Sequence, residues 1–395
     1  MIRPYYCLAA ALLLTGSLGS IHAFGVFLVP FEAAFGASRA SVSLIYSLAL
    51  VALTFSVLIG HRLYGLLAPW CLAAVACAAA ALGLVLAASA SSLWQLGIGY
   101  SLLFGAANGL GYGFALAIVG RAFSRRRGLA MGSVTAVYAV GAVIFAKVFE
   151  VLIGWSGPSA ALLSLAAVLT AVGLLAGLLM WFSGIRLAQA EAAEESEGLR
   201  GRGRLLALLW FCYGLSVAAG LMAIGHAAGI VSAAGGAEGD LASGVIVIAL
   251  GNALGGFLAG RLADLWSMRV LLAGLPLISA AALGLLAAVE GAAAAIGALA
   301  LVGFAYGAII AVFPVVTARY FEMTLYAKAY GRIFTAWGLA GLGAPWLAGR
   351  LYDLSGGYTV ALLLAAVAAL GAALLALLLP PMPAAQPSPS EGGLD

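Results

Sequence analysis

The chain holds few residues that could do chemistry, and most of them are polar side chains set inside long apolar runs. Such side chains can hydrogen-bond a solute, and a histidine can also carry a proton. Polar groups in apolar surroundings cost free energy, so they are candidates for function. The predicted solute-binding residues are His22, Asn108, Tyr112, His226, Asn252, Tyr306 and Trp337. The predicted coupling or gating residues are His22, Lys147, Glu150 and Asp264.

The sequence shows no pattern typical of metal binding, enzymatic catalysis or dinucleotide binding. The four cysteines lie within apolar runs and form no CxxC or Cys/His cluster, so neither a metal site nor a cofactor is predicted. No nucleophile–base pair or carboxylate dyad has a plausible spacing, so an enzyme is not expected. Residues 105–113 have GxGxxG-like spacing but lie within an apolar run, which excludes a dinucleotide site on context.

The composition places the chain in a membrane. Its 395 residues are 65% hydrophobic and only 8% charged, whereas soluble domains carry about 25% charged residues. In lipid, only helix bundles and closed barrels satisfy every backbone polar group. The apolar runs are about 20 residues or longer, which suits helices, because barrel strands are about ten residues long and alternate in polarity. The sequence therefore predicts an all-α membrane protein.

Twelve apolar runs are separated by short polar segments and one longer polar stretch. The predicted spans are 5–29, 40–60, 69–88, 93–120, 129–153, 158–182, 205–233, 241–261, 268–289, 292–317, 331–352 and 357–379. The stretch 183–204 carries eight of the 32 charged residues. It divides the chain into two six-helix bundles, 1–182 and 205–379, and residues 380–395 form a Pro/Ser-rich tail predicted to be disordered.

The placement of basic residues predicts the orientation of the spans. With the N-terminus inside the cell, 15 of the 18 Lys and Arg residues fall in cytoplasmic segments, which matches the positive-inside rule. Both termini and the 183–204 linker are then cytoplasmic, in a plasma or inner membrane. The first run continues past the length of a signal peptide, and no polar domain follows it, so we interpret it as a span.

Several candidates have an alternative, purely structural interpretation. A protonated His22 could bind a carboxylate, or a neutral His22 could bond to a nearby carbonyl. His226 either belongs to the site or lies at the membrane interface. Asn108 and Tyr112, one helical turn apart, could contact a solute or another helix. Lys147 and Glu150, also one turn apart, could gate the protein or simply neutralise each other, and the sequence leaves these alternatives open.

Two loops resemble the major facilitator superfamily. The loop Gly260-Arg-Leu-Ala-Asp264-Leu-Trp-Ser-Met-Arg269 resembles that superfamily's G-x-x-x-D-R/K-x-G-R/K-R/K loop and keeps Gly260, Asp264 and Arg269. The matching loop after the second span has Tyr64 where the acidic residue is expected. The resemblance covers essentially the whole chain. It implies two pseudo-symmetric six-helix bundles that face each other across a central cavity and rock about a midplane site.

A closer resemblance is to monocarboxylate transporters and oxalate–formate antiporters. Residues 122–132, AFSRRRGLAMG, are similar to the monocarboxylate pattern YF-x-K-R-R-x-L-A-x-G. The segments FGASRASVSLIYS and YGRIFTAWGLAGLGAP resemble the antiporter branch. By this resemblance His22 occupies the place of a substrate-facing lysine, and Asn252 that of an Asp or Asn. The arginine expected four residues after Asn252 is Gly256, and a lysine of the antiporters corresponds to Trp337.

The resemblance leads to an expected function with one alternative. We expect a secondary transporter of a small monocarboxylate-like acid that works by alternating access, with protons as candidate partners beside membrane lipids and without nucleic acid. No Walker loop is present, so ATP is not expected to drive it. The absence of the two cationic residues favours the alternative, a transporter or exporter of neutral or lipophilic molecules. A non-transporting sensor on the same fold would need a signalling domain, which the sequence lacks.

Overall fold

The computed structural model of the protein describes residues 3–37, 39–187, 199, 201–288 and 290–381, and these residues form helices and their connections. The N-terminal part contains α1 Arg3–Leu18, α2 Leu28–Phe35, α3 Arg39–Tyr64, α4 Pro69–Ala88, α5 Leu93–Leu96, α6 Gly105–Ala122 and α7 Arg127–Ser183. The C-terminal part contains α8 Gly203–Ala233, α9 Glu238–Leu265, α10 Met268–Ala288, α11 Ala292–Ser355 and α12 Thr359–Leu377. These two names refer only to chain order.

Ten helical segments of the described chain are long and apolar enough to cross a membrane. Two of the helices, α7 with 57 residues and α11 with 64, are far longer than one crossing requires, because about 20 residues span the hydrocarbon core. Each has one residue with non-helical backbone angles, Gly157 (φ 83°) in α7 and Glu322 (φ 57°) in α11. Each long helix therefore consists of two segments joined at a sharp kink.

The two kinks have different local causes. Gly157 takes a positive φ at no steric cost, and Pro158 follows it, a residue suited to the first turn of a helix because it has no N–H to leave unpaired. Glu322 is the only described non-glycine residue with positive φ. Such a conformation is strained for a side-chain-bearing residue and persists only where the surrounding packing fixes it.

The connection between two predicted spans differs from an ordinary loop. The sequence predicted a connection at 318–330 between two spans, whereas the structure is helical there except at Glu322. Charged residues interrupt the hydropathy at this position, but Glu, Met, Leu, Ala and Lys are all good helix formers. Hydropathy reports where a chain leaves lipid and not where a helix ends, so a connection between spans can remain helical.

Two predicted spans contain backbone that is not α-helical. Gly19–Phe27, within the predicted span 5–29, is a 3₁₀ helix that joins α1 to α2. Gly97–Phe104, within 93–120, is a π-helical stretch that joins α5 to α6. Both are rare at this length, and π-helical segments are frequent at functional sites. Other boundaries agree closely: Pro69–Ala88 coincides with the predicted 69–88.

Glycines allow the helices to cross at short distance, as is common in membranes. Gly105 and Gly109 of α6 pack directly on the backbone of α3 at Ala49 and Leu53. Gly19 contacts the backbone of Tyr138 in the same way, which fixes the 3₁₀ stretch against α7. Most of the predicted linker and tail, namely 188–198, 200 and 382–395, lies outside the described residues.

Candidate functional site

His22 lies in the 3₁₀ stretch and is surrounded by aromatic side chains. Its Nδ1 is 2.6 Å from the hydroxyl oxygen of Tyr46. Its ring makes edge contacts with Tyr46, Tyr138 and Trp337 at centroid distances of 6.1, 5.4 and 6.3 Å. These partners are all neutral, and the imidazole of His22 is the group among them that can accept a proton.

Trp337 brings the C-terminal part into the same cluster. Its indole N–H donates to the hydroxyl of Tyr306 at 2.9 Å, and its ring stacks on Phe334 at 5.2 Å. Phe334 in turn contacts Tyr112 at 6.1 Å. Contacts from both parts of the chain therefore meet at His22 and Trp337. We call the following residues the central cluster: His22, Tyr46, Tyr112, Tyr138, Tyr306, Phe334 and Trp337.

Asn108 is hydrogen-bonded to one residue of the central cluster, Tyr138. Its side chain is fully buried; its Nδ2 donates to the Leu18 carbonyl at 2.6 Å, and its Oδ1 accepts from the Tyr138 hydroxyl at 2.7 Å. Both ends of the amide are thus bonded within the protein. Asn108 holds Tyr138 beside His22, which favours the helix-contact interpretation for Asn108 itself. Tyr112 contacts the Tyr138 ring at 5.0 Å and belongs to the cluster.

His226 lies in another environment. Its Nε2 is 2.8 Å from the carbonyl of Pro345, and its Nδ1 is 3.2 Å from the hydroxyl of Tyr358. These contacts tie α8 to α11 and to the residue that precedes α12. The hydrogen-bond and ring-contact partners of His226 and those of His22 have no described residue in common, so the structure does not bring the two histidines into one site.

Asn252 and Gly256 occupy one face of α9, a helical turn apart. Asn252 packs against Gly307, the residue after Tyr306, which places it next to the cluster. A Cβ atom at position 256 would lie 3.5 Å from the Gly307 carbonyl oxygen and 3.7 Å from the Ala136 Cα. Position 256 therefore lies where α9 meets α7 and α11, and a Cβ atom there would make ordinary van der Waals contacts.

Lys147 and Glu150 form an ion pair with each other. Their charged atoms are 2.9 Å apart, and their side chains are 72% and 63% exposed. Exposed pairs of this kind contribute only about 0–1 kcal/mol. The geometry supports mutual neutralisation of Lys147 and Glu150.

Asp264 joins the N-terminal and C-terminal parts away from His22. Its two carboxylate oxygens accept from the backbone N–H groups of Gly128 and Leu129, both at 2.8 Å. Those N–H groups belong to the first turn of α7, where unpaired donors and the helix dipole favour an anion. A carboxylate on α9 thus caps a helix of the other part of the chain.

The cap continues along a stripe of small residues. Gly256, Gly260 and Asp264 repeat every four residues on α9 and face Ala136, Gly132 and Gly128, which repeat every four residues on α7.

A second crossing joins α11 to α3, where Gly331 meets Val57 and Leu58 and Gly338 meets Thr54. Arg319 adds a bond to the Ala263 carbonyl at 2.8 Å. We call this set of contacts the seal.

Adding a methyl group within the seal should loosen it. A Cβ atom at Gly260 would lie 2.7 Å from the Gly132 Cα, too close for α7 and α9 to keep their separation. We expect Gly260→Ala to destabilise the sealed state by about 1–3 kcal/mol and to lower the melting temperature. Gly274→Ala in α10 is the matched control, since its Cβ would meet nothing within 4 Å. Equal melting temperatures for the two variants would contradict the seal.

Sequence reasoning missed several aromatic residues. Tyr46 and Phe334 belong to the cluster, and Tyr213, Tyr326 and Tyr330 lie beyond it, with fully buried side chains. The spacing of Tyr326, Tyr330, Phe334 and Trp337 along one helix face was a usable signal. This spacing was not used because residues 318–330 were interpreted as a connection between two spans. The hydroxyl groups of Tyr213, Tyr326 and Tyr330 have no hydrogen-bond partner in the described structure, an arrangement that costs about 1–3 kcal/mol per group.

The chemical groups of the central cluster are those of a binding site for a small molecule. The cluster offers hydroxyl and indole donors, aromatic faces and one titratable imidazole, which suit a small solute with an apolar body and a hydrogen-bonding end. Among the described residues, no group of three or more His, Cys, Asp and Glu side chains could hold a metal ion.

Comparisons with known proteins agree with this description. Residues 206–394 match the Major Facilitator Superfamily profile. A monocarboxylate transporter 13 of Rattus norvegicus is 36% identical over 160 residues, which cover 40% of this chain. The match spans 37% of the length of that relative.

Solved structures show the same fold over nearly the whole chain. A major facilitator transporter, FucP, in the outward conformation superposes with a TM-score of 0.74 at 16% identity and covers 95% of this chain and 98% of its own. The human organic anion transporter TETRAN gives a TM-score of 0.74 at 15% identity and covers 94% and 99%. The match over residues 206–394, the shared fold and the curated relative together show that this chain is similar to transporters of the major facilitator superfamily, a monocarboxylate transporter among them.

Proposed function

We propose that the protein is a secondary transporter of a small monocarboxylate-like acid and works by alternating access. The observation that carries the proposal is the central cluster, where His22 and Trp337 meet from the N-terminal and C-terminal parts of the chain. Substrate sites of this superfamily's architecture lie near the membrane midplane between repeats. A solute held there contacts both parts, so their relative movement can carry it across.

The architecture that we propose has twelve spans in two six-helix bundles. Splitting α7 and α11 at Gly157 and Glu322 turns the ten long apolar segments into twelve. The bundles comprise 1–182 and 205–379, joined by the 183–204 linker and followed by the 380–395 tail. The basic loops place both termini in the cytoplasm, and the seal then closes the cytoplasmic side.

His22 is the group that we propose for carboxylate binding. A fixed cation at 256 or 337 is missing, since these positions are Gly256 and Trp337. A protonated imidazole can replace it, and the carboxylate and the proton then cross as a neutral pair. The phenols of Tyr46 and Tyr138 ordinarily titrate near pH 10, so among these neighbours the imidazole of His22 is the group that can take up a proton together with a bound carboxylate.

A second candidate function is transport of a neutral or lipophilic solute. It is favoured by the aromatic character of the cluster, in which Trp337, Phe334 and Tyr306 form a continuous surface without fixed charge. Such a site binds apolar bodies well.

Ligand-dependent melting of the purified protein separates the two candidates. Small monocarboxylates, neutral metabolites and lipophilic compounds are each added at pH 5.5 and pH 7.5. A ligand that binds the folded state alone raises the melting temperature. We expect stabilisation by monocarboxylates, and a larger effect at pH 5.5. Stabilisation by neutral or lipophilic compounds alone would replace the first candidate with the second.

A further inference from the structure

The aromatic residues of α11 form a continuous ladder that leads away from the central cluster. Tyr326 stacks on Tyr330 at 5.4 Å, Tyr330 contacts Phe334 at 5.5 Å, and Phe334 stacks on Trp337 at 5.2 Å. At 1.5 Å per residue, the eleven steps from Tyr326 to Trp337 extend about 16 Å along the helix. The ladder therefore covers about half the thickness of a hydrocarbon core.

The ladder runs toward the seal. Gly331, between two rungs, packs on Val57 and Leu58 of α3 at the second crossing. Tyr213 of α8 lies against the ladder, 6.5 Å from the Phe334 ring. The tyrosines thus lie beyond the central cluster, alongside the contacts of the seal.

The hydroxyl groups in this stretch lack the partners that other tyrosines have. Tyr213, Tyr326 and Tyr330 are 0–1% exposed, and their hydroxyls make no hydrogen bond in the described structure. Tyr330 interacts with Tyr112 and Tyr213, but the contacts fall short of hydrogen-bond geometry. By contrast, the phenols of the central cluster at Tyr46, Tyr138 and Tyr306 have partners. Phenylalanine would pack equally well here without the cost of an unpaired buried hydroxyl.

We propose that Tyr213, Tyr326 and Tyr330 form a second, transient carboxylate-binding layer on the inner part of the transport path. The proposal rests on the proposed function. Tyr112 faces this layer from the N-terminal part, so opening of the seal separates the two sides and exposes the hydroxyls. The substrate then passes from His22 to the phenol groups before it leaves. The unpaired hydroxyls also favour opening, because they gain partners when the seal parts.

The chemistry of the layer points to a carboxylate. A carboxylate has two oxygens that only accept hydrogen bonds, and the three phenols can each donate one. Neutral donors bind an anion more weakly than a protonated histidine does. A weaker second site suits release, because a transported ion must bind firmly enough to enter and loosely enough to leave.

The test compares the full-length protein with its Tyr213→Phe/Tyr326→Phe/Tyr330→Phe variant. Both are purified and reconstituted, with lactate and benzoate as probes. We expect the triple variant to melt at the same or a higher temperature and to be stabilised by the probes as the wild type is, because the His22 site is intact. We expect its rate of probe exchange across the membrane to fall about tenfold, because the sealed state gains population.

Tyr320→Phe is the matched control. This buried tyrosine donates its hydroxyl to the Pro380 carbonyl at 2.7 Å and is not part of the ladder. We expect it to lose a little stability and keep its exchange rate. Wild-type exchange in a folded triple variant, or a lower melting temperature of that variant with unchanged exchange, would overturn the layer alone. A wild type that neither binds nor exchanges any monocarboxylate would overturn the proposed function and the carboxylate assignment together.

Discussion

Replacing His22 with alanine should weaken monocarboxylate binding roughly 10- to 100-fold, since a hydrogen bond to a charged group contributes about 1.5–3 kcal/mol. The described neighbours of the His22 ring are Tyr46, Tyr138 and Trp337, and none of these side chains can become a cation. Removal of the imidazole leaves Tyr46 and Trp337 to hold the solute. We expect the ligand-induced rise in melting temperature to disappear at pH 5.5 and transport to fall to background.

Two further variants make this result interpretable. His61→Ala is the matched control, because His61 bonds to the Leu58 carbonyl of its own helix at 3.0 Å and lies outside the central cluster. It should keep wild-type binding. His22→Gln retains a hydrogen-bonding side chain that cannot be protonated, so it should lose the preference for pH 5.5. Wild-type transport by His22→Ala would remove His22 from the site.

The second large effect is expected at Asp264. In Asp264→Asn the charge at the N-terminus of α7 is lost, and a single oxygen remains for the N–H groups of Gly128 and Leu129. Because Asp264 is half-buried, we place the loss at about 1.5–2 kcal/mol of the sealed state. The equilibrium then shifts roughly 10- to 30-fold toward the state that is open on the Asp264 side, and net transport falls.

Distances between spin labels measure this shift directly. Cysteines are placed at two exposed positions, Arg125 in the connection before α7 and Arg261 near the end of α9, and the four native cysteines are replaced with alanine. We expect one short distance in the parent and a longer population in Asp264→Asn. Asp240→Asn is the matched control: Asp240 accepts from the Ala237 N–H at 3.0 Å and caps its own helix. An unchanged distance in Asp264→Asn would contradict a gating role.

The fold was largely predictable because lipid leaves few options. Long apolar runs, basic loops and a polar stretch at 183–204 predict a helical membrane protein on physical grounds. What hydropathy could not predict was backbone detail. The 3₁₀ stretch at His22, the π-helical stretch at Tyr100 and the kink at Glu322 depend on contacts between distant helices, such as the bond from the Tyr100 hydroxyl to the Ile21 carbonyl at 3.2 Å.

The site was predictable in part, for a related reason. Polar residues in apolar runs pointed to His22, Tyr112, Tyr306 and Trp337, which the structure brings together. The same rule also selected His226, whose hydrogen bonds serve a different helix contact. The sequence shows which polar side chains lie in apolar runs, but only the fold shows whether a neighbouring helix or a solute supplies their hydrogen-bond partners.

Counterflow in proteoliposomes tests the central claim most directly. Vesicles that contain the purified full-length protein are loaded with unlabelled lactate, diluted into a trace of labelled lactate, and compared at pH 5.5 and pH 7.5. The assay needs no assumption about the driving ion. The account predicts transient accumulation of label that is faster at pH 5.5 and absent in His22→Ala. Accumulation equal in wild type and His22→Ala, or none for any monocarboxylate while a neutral solute exchanges, would contradict it.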